Sequence, residues 1–356
     1  MSPSMNLLGK RLWLLPALAA PLLAGCNTVV LNAPGDVAAQ QGQLVVVATV
    51  LMLLIIVPVI VLTCLFAWRY RQSNTEATYK PDWDHSTALE LVIWAAPLLI
   101  IIALGAVTWI STHTLDPYRP LRRIDAQRAV SADTKPLVVE VVALDWKWLF
   151  IYPEQGIATV NELAAPIDVP ITFKITGTTV MNSFYIPALA GQIYAMPAMQ
   201  TKLHAVMNKA GVYDGFSANY SGAGFSNMRF KFHGMTADGF DAWVKTAKAS
   251  GRALSREAFL ELEKPSTREP VGRYASVAAD LYDRILNRCV DDGKMCMSQM
   301  MAIDAGGLGT SASYQVATAS RRPYVEALAC TPDNPEGRPL ALASPRRESR
   351  AEPTKP

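Results

Sequence analysis

The sequence predicts two transmembrane α-helices that form a helical hairpin, followed by an all-β sandwich and a short C-terminal helical extension. Three patterns predict this fold class: two long uncharged apolar runs, a change to period-two alternation after residue 136, and a return to helical periodicity after about residue 236. Hydrophobic residues make up 51 % of the 356 residues and charged residues 18 %, a balance typical of chains with membrane segments. The formal net charge of +3 comes without a basic stripe, so we expect no nucleic-acid partner.

The N-terminal residues predict a lipoprotein signal peptide over 1–25. Lys10 and Arg11 supply its positive start, and residues 12–24 form an apolar stretch that is too short to span a membrane. The stretch ends in Leu-Ala-Gly-Cys, which resembles a bacterial lipobox. We therefore expect cleavage before Cys26, attachment of diacylglycerol to its thiol, and a lipidated periplasmic N-terminus over 26–43. The alternative is a chance cysteine behind an ordinary signal peptide.

The two uncharged runs, 44–68 and 91–110, are each long enough to cross the hydrocarbon core, and they predict a hairpin over 44–113. Three basic residues stand in the loop between them, namely Arg69, Arg71 and Lys80. The segment before the first run carries no lysine or arginine, so the positive-inside rule places the loop in the cytoplasm and both flanks outside. The arginines after the second run argue weakly against this, but long exported domains cross largely regardless of charge.

Glu90 stands where the second apolar run begins, in the string ELVIWAAP. A carboxylate at a helix N-terminus can simply complement the helix dipole. An ionisable group at membrane depth is also a candidate for a functional role, such as a proton pathway. The residues alone leave both interpretations open.

The segment after the hairpin predicts a β-sandwich over 137–233, joined to the helices by a polar linker over 114–136. Trp146, Trp148, Phe150 and Tyr152 alternate along the chain and are expected on one face of a strand. Turn residues separate the runs that predict strands, which are 136–144, 145–153, 167–177, 201–207, 211–218 and 227–233.

The helical extension is predicted over 234–290. Amphipathic periodicity favours helices over 237–250 and 255–264, the second with Ser255 as its N-cap, and a third through 277–289. The tail, 291–356, ends in a segment rich in Pro, Arg and Glu, and we expect it to be largely disordered.

Two cysteines at the end of the extension leave three interpretations open. Cys289 and Cys296 have four methionines close to them in the chain, namely Met295, Met297, Met300 and Met301. An oxidising compartment favours a local disulfide, but free thiols or a soft metal site would use the same residues.

Several motifs together resemble subunit II of the haem-copper oxidases. They are the EL-x-x-W-x-x-P start of the second span, the W-K-W-x-F-x-Y strand, and the loops VMNSFYIPALAGQIYAMP and GVYDGFSANYSGAGFSNM. The likeness covers about residues 20–290. It implies that the sandwich is cupredoxin-like, the fold that carries a dinuclear copper centre in the cytochrome c oxidases.

The residues that hold this copper in the family are absent at the matching positions. The family's first histidine falls on Asn182, and its two bridging cysteines fall on Ser217 and Ser221. The second histidine and the glutamate whose carbonyl binds copper fall on Phe225 and Asn219, which leaves only Met228 of the ligand set. Copper requires soft thiolates, which serine hydroxyls do not replace, so we expect no metal at this degenerate copper site.

A subunit II without this copper resembles the quinol-oxidising branch of the family, the bo-type ubiquinol oxidases. The resemblance implies a complex in the bacterial inner membrane that oxidises ubiquinol, reduces oxygen to water and pumps protons. Haem, the remaining copper and the quinol site are then expected in subunit I, with the other small subunits as further partners. This chain would carry no redox centre and no catalytic residue. Glu90 would match the entrance of a proton channel shared with subunit I.

Two other functions compete with this interpretation. A subunit through which electrons enter a cytochrome c oxidase would need the missing cysteines. A free-standing lipoprotein that acts as a binding module would not co-purify with haem. Without copper beneath them, Trp146 and Trp148 are expected to serve in packing rather than in electron transfer.

Overall fold

The computed structural model describes residues 28–78, 80–131 and 133–305. Its first two helices, α1 (Asp36–Arg69) and α2 (Thr87–Thr114), contain the two predicted spans, and both are long and apolar enough to cross a membrane. Helix α1 begins eight residues before Leu44 because Asp36 complements the helix dipole in its first turn. The predicted signal peptide, the lipid-attachment residue Cys26 and the chain from 306 onward lie outside the described residues.

The predicted sandwich is confirmed. The strands before the extension are β1 (Leu137–Leu144), β2 (Lys147–Tyr152), β3 (Ile157–Val160), β4 (Glu162–Pro166), β5 (Pro170–Gly177), β6 (Asn182–Tyr185), β7 (Ile193–Ala195), β8 (Thr201–Val206), β9 (Gly211–Ser217) and β10 (Arg229–Met235). Together with β12 (Gly272–Tyr274) of the extension, they form one sheet with the order β12-β3-β2-β1-β5-β8 and a facing sheet with the order β4-β10-β9-β6-β7. Pairs β1–β5 and β4–β10 are parallel, and the other pairs among these strands are antiparallel.

Aromatic side chains from both sheets fill the core. The alternating residues Trp148, Phe150 and Tyr152 of β2 are fully buried, as the alternation predicts. Trp148 and Phe150 meet Phe184 and Phe230 of the other sheet, with the Phe184 and Phe230 rings stacked 5.6 Å apart. Trp146 was expected on the same strand face, but it precedes β2 and is only half-buried. The strand begins one residue later because Asp145 and Trp146 form the two-residue turn of the β1–β2 hairpin, in which Leu144 pairs with Lys147.

The extension contains helices α3 (Ala237–Lys248), α4 (Arg256–Glu263) and α5 (Leu281–Leu286). Ser255 caps α4 by accepting a hydrogen bond from the Ala258 amide at 3.2 Å, as predicted. The extension is not purely helical, since it also holds the short strands β11 (Ala253–Leu254), β12 (Gly272–Tyr274) and β13 (Ser276–Val277). Strand β12 joins the edge of the first sheet beside β3, where the Arg273 guanidinium makes two 2.8 Å bonds to the buried Glu162 carboxylate.

Residues 287–305 contain a disulfide and a short helix. Cys289 and Cys296 are bonded, which selects the first of the three interpretations left open above. The prediction of a largely disordered tail from 291 differs from the structure at its start, where α6 (Met297–Ala305) forms. The helix begins where the Met297 amide donates to the Asn287 carbonyl at 2.9 Å, a contact made possible by the disulfide-closed loop.

Two arginines in the middle of the polar linker bind it to both of its neighbours. Arg123 makes a bidentate ion pair with the buried Asp36 of α1, at 2.8 and 2.9 Å. Further along, Arg128 makes a second bidentate pair with Asp168, just before β5, at 2.8 and 3.1 Å. The helices and the sandwich are therefore joined by charge-assisted hydrogen bonds and not by the covalent chain alone.

Candidate functional site

The positions that the sequence resemblance predicts to match copper ligands lie at one end of the sandwich. Asn182 opens β6, Ser217 closes β9, and the remaining positions lie in the loop that leads from β9 to β10. The pairing of β6 with β9 brings the two strand ends together. The fold thus assembles residues that are up to 46 positions apart, from Asn182 to Met228, into one site.

A hydrogen bond joins the two residues at the centre of this site. The Ser217 hydroxyl donates to the Asn182 side-chain oxygen at 3.1 Å, and the Asn219 carbonyl is a second acceptor at 3.2 Å. It also accepts from the Ser183 amide at 3.4 Å. Asn182 and Ser217 are 1 % and 3 % exposed, so both polar groups are buried and each has a partner within the protein.

The indole of Trp146 covers the loop that follows Ser217. Its Nε1 donates to the Ser221 carbonyl at 2.8 Å, and its ring lies flat against Gly222 and Gly224. A Cβ at Gly224 would come within 2.5 Å of the ring, so only glycine permits this approach. The Ser221 hydroxyl beneath the indole is buried and has no hydrogen-bond partner among the described residues.

The other positions contribute packing and backbone bonds. Phe225 opens a short 3-10 turn, Phe225–Asn227, and its ring meets Tyr220 with centroids 5.6 Å apart. Met228 is 1 % exposed and belongs to the core, and its carbonyl accepts from the Ser217 amide at 3.2 Å. The Asn219 side chain donates to the Met181 carbonyl at 3.2 Å, which ties the loop to the start of β6.

These donors do not fit copper. The site offers the paired Ser217 hydroxyl and Asn182 amide oxygen, the Ser221 hydroxyl, a phenyl ring in place of an imidazole, and one thioether, whereas copper of this type needs thiolate and imidazole ligands. His204 lies in the other sheet, where its Nδ1 is 3.2 Å from the Thr172 hydroxyl, and partial burial lowers its pKa. Over 28–78, 80–131 and 133–305, no group of three or more His, Cys, Asp or Glu residues could hold a metal ion.

A second polar site lies at the other end of the molecule, where α2 begins. The Glu90 carboxylate is 2.7 Å from Nδ1 of His85, and Nε2 of His85 is 3.1 Å from the Thr87 hydroxyl. The side chains of His85 and Glu90 are 60 % and 52 % exposed in the single chain. The arrangement can pass a proton between imidazole and carboxylate, and it leaves both groups open to solvent or to a partner.

The sequence interpretation missed the contact between Trp146 and the loop. The spacing Gly222-x-Gly224 next to Ser221 was the available signal, because two glycines close together often mark the approach of another group to the backbone. What covers them could not be read from the chain, since Trp146 is 75 residues from Ser221.

Two family models and several known proteins match parts of the chain. The family model for the periplasmic domain of cytochrome c oxidase subunit II matches residues 153–234, and the model for the COX aromatic rich motif matches residues 248–293. Among solved structures, the periplasmic domain of subunit II of cytochrome oxidase from Bradyrhizobium japonicum covers 34 % of this chain and 97 % of that domain, with 23 % identity and a TM-score of 0.32.

Curated relatives cover most of the chain. The cytochrome bo(3) ubiquinol oxidase subunit 2 of Pseudomonas putida is 50 % identical over 275 residues, or 77 % of this chain and 85 % of the relative. Its counterpart in Pseudomonas aeruginosa is 51 % identical over 279 residues, which are 78 % of this chain and 81 % of the relative. The ubiquinol oxidase subunit 2 of Acetobacter aceti is 48 % identical over 292 residues, which are 80 % of this chain and 92 % of the relative.

Proposed function

Because the chain belongs to the family of ubiquinol oxidase subunit 2, we propose that it works in a proton-pumping complex that oxidises ubiquinol and reduces oxygen to water. The observation that carries this proposal is the hydrogen bond between Asn182 and Ser217. The amide and the hydroxyl that form this bond stand where the family has a histidine and a bridging cysteine. Neither group can bind copper or exchange electrons. Electrons then reach the oxygen-reducing centre from a membrane quinol and not through this domain.

The redox chemistry belongs to the partner in this proposal. Subunit I holds the haems, the remaining copper and the quinol site, while this chain supports subunit I from the periplasmic side. The ion pairs of Arg123 with Asp36 and of Arg128 with Asp168 favour such a role, because they hold the sandwich in a fixed position relative to the outer ends of the helices. The other small subunits of the complex complete the assembly.

Glu90 is the proposed proton-uptake residue of this chain. Its carboxylate pairs with His85 at the end of α2 opposite the sandwich, which is the cytoplasmic end in the orientation proposed here. A proton taken up there would pass to subunit I, against which α2 would pack. The side chains of His85 and Glu90 are more than half exposed in the single chain. This exposure is consistent with a site that a partner completes.

The location follows from the two spans and the domain they carry. We place the hairpin in the bacterial inner membrane, the sandwich in the periplasm and the loop between the helices in the cytoplasm. The disulfide between Cys289 and Cys296 fits an oxidising compartment. Diacylglycerol on Cys26 would add a lipid anchor on the periplasmic side.

The test is to purify the complex through this chain under mild solubilisation. We expect haem and subunit I to co-purify, and we expect oxygen consumption with a ubiquinol substrate but not with reduced cytochrome c. A haem-free single chain would contradict the oxidase assignment. Near-infrared absorption of a mixed-valence dicopper centre in this subunit, together with cytochrome c oxidation, would contradict quinol as the electron donor.

A further inference from the structure

The loop that precedes α1, residues 28–34, has a fixed conformation. The amides of Leu31 and Asn32 donate to the Thr28 carbonyl at 3.0 and 3.3 Å, which closes a turn. At the other end, the Pro34 carbonyl accepts from the Asn208 amide at 3.2 Å. The amide of the next residue, Gly35, donates to the Ala188 carbonyl at 2.9 Å. The C-terminal end of the loop is therefore hydrogen-bonded to the sandwich.

From there the loop runs back beside the helix that follows it. The Val30 carbonyl oxygen occupies the space that a Cβ on residue 42 would need, and Gly42 is buried as a result. The helix descends about 10 Å between residues 35 and 42, at 1.5 Å per residue. Val30 therefore lies about 10 Å closer to the membrane than Gly35, within two residues of Leu44, where the uncharged run starts.

The turn presents three consecutive apolar side chains at this level. Val29, Val30 and Leu31 are 49 %, 39 % and 55 % exposed, close to the 49 % and 50 % of Val45 and Val46 on the adjacent span. The loop carries no charged residue. The loop thus places apolar side chains beside the start of a candidate membrane span, at the depth where the hydrocarbon core gives way to the headgroups.

We propose that the turn at residues 28–32 is a membrane-surface anchor whose Val29, Val30 and Leu31 side chains insert among the acyl chains of the outer leaflet. Gly42 is the residue that positions it, because it lets the loop lie against the helix instead of projecting into the periplasm. The anchor acts through the side chains of the loop, and it depends neither on acylation of Cys26 nor on the oxidase assignment. Its partner is phospholipid, in preference to another protein subunit, because the patch is uncharged and lies beside the first turns of a helix long and apolar enough to cross a membrane.

A photo-crosslinking amino acid at Leu31, in the full chain within its complex in phospholipid nanodiscs, tests the proposal. The matched control position is Val271, which is 53 % exposed just before β12. Strand β12 is at the opposite edge of its sheet from β8, which contacts α1, so five strand spacings place Val271 about 24 Å away along the sheet. Mass spectrometry after irradiation separates adducts with free phospholipid from adducts with protein.

We expect phospholipid adducts as the main product at position 31 and at least tenfold fewer of them at position 271. Gly42→Ala, which forces the Val30 carbonyl away, should lower the phospholipid adducts at position 31 several-fold while the haem content of the complex stays unchanged. Adducts mainly with another subunit, or a yield of phospholipid adducts no higher than at position 271, would overturn the proposal. An unchanged yield in Gly42→Ala would overturn the positioning role of Gly42.

Discussion

Ser217 and Ser221 are both predicted to replace bridging cysteines of the family's copper pattern, yet their hydroxyls lie in different surroundings. The Ser217 hydroxyl donates to Asn182 and accepts from Ser183, whereas the Ser221 hydroxyl is buried and has no partner among the residues that the structure describes. We expect Ser217→Ala to lower the free energy of unfolding by about 1–3 kcal/mol, because it leaves the buried Asn182 side-chain oxygen without its donor. The measurement is the thermal or denaturant unfolding of the purified chain in detergent, with tryptophan fluorescence as the signal.

Ser221→Ala is the matched control. It removes a buried hydroxyl that makes no hydrogen bond, so we expect unchanged or slightly higher stability. Equal destabilisation by the two substitutions would show that the hydrogen bond between Asn182 and Ser217 does not stabilise this end of the sandwich.

Glu140 gives the sandwich a pH dependence. Burial raises the pKa of its carboxyl, and the Lys174 ammonium at 3.6 Å only partly opposes this. The folded chain therefore binds this proton more tightly than the unfolded chain does. The contribution to stability is fully present below the unfolded pKa of about 4.3 and is lost as pH rises through the higher folded pKa.

Replacement of Glu140 by Gln keeps the neutral form at every pH. We expect Glu140→Gln to be more stable than the natural chain at pH 7 and about equal to it near pH 4, as measured by unfolding curves across that range. Lys174→Met should widen the pH range over which ionisation of Glu140 lowers the stability, since it removes the charge that lowers the Glu140 pKa. A difference between Glu140→Gln and the natural chain that does not vary with pH would contradict this account.

At the scale of elements, the extension is fastened to the sandwich by β12. The Glu162 side chain is only 9 % exposed and depends on Arg273 for its charge partner, with His233 3.7 Å away. We expect Arg273→Met to cost about 2 kcal/mol, less than the ~3–5 kcal/mol of a fully buried pair because Arg273 is 34 % exposed. Proteinase K should then cleave more quickly between residues 264 and 276.

The control for this prediction is Lys264→Met. Lys264 pairs with Glu261 in an exposed position, and such pairs contribute little. Its carbonyl, which accepts from Lys147, is retained in the variant. If Lys264→Met opened the extension as much as Arg273→Met does, the buried pair with Glu162 would not be what holds β12.

The longer elements could be predicted from the sequence and the shorter ones could not. Strands β1, β2, β5, β8, β9 and β10 each show enough alternation to be recognised. Strands β3, β4, β6, β7 and β12 have only three to five residues, too few to show a period, and they form because a neighbour supplies hydrogen bonds. The same limit applies to the site: the lost ligands follow from motif spacing, but the bond between Asn182 and Ser217 spans 35 residues and needs β6 to lie beside β9.

At the scale of the whole molecule, the two polar sites lie at opposite ends of the hairpin. If Glu90 takes up protons for the complex, Glu90→Gln should lower quinol-driven oxygen consumption at least several-fold, because an amide cannot carry the proton. Oxygen uptake by the purified complex measures the effect, with haem content as the check on assembly. Glu76→Gln in the loop between the two helices is the control and should leave the rate unchanged. Full activity of Glu90→Gln would assign Glu90 to the helix dipole alone.

The place of β12 in the sheet has a consequence for biogenesis. Export delivers the chain from its N-terminus onward, so β3 reaches the periplasm more than a hundred residues before Gly272–Tyr274 can pair with it. During that interval β3 is an open strand edge, with unpaired amides and carbonyls that invite pairing with other chains. The extension thus acts as the closing step of maturation, and a product cut short before residue 272 would emerge as a substrate for periplasmic chaperones and proteases.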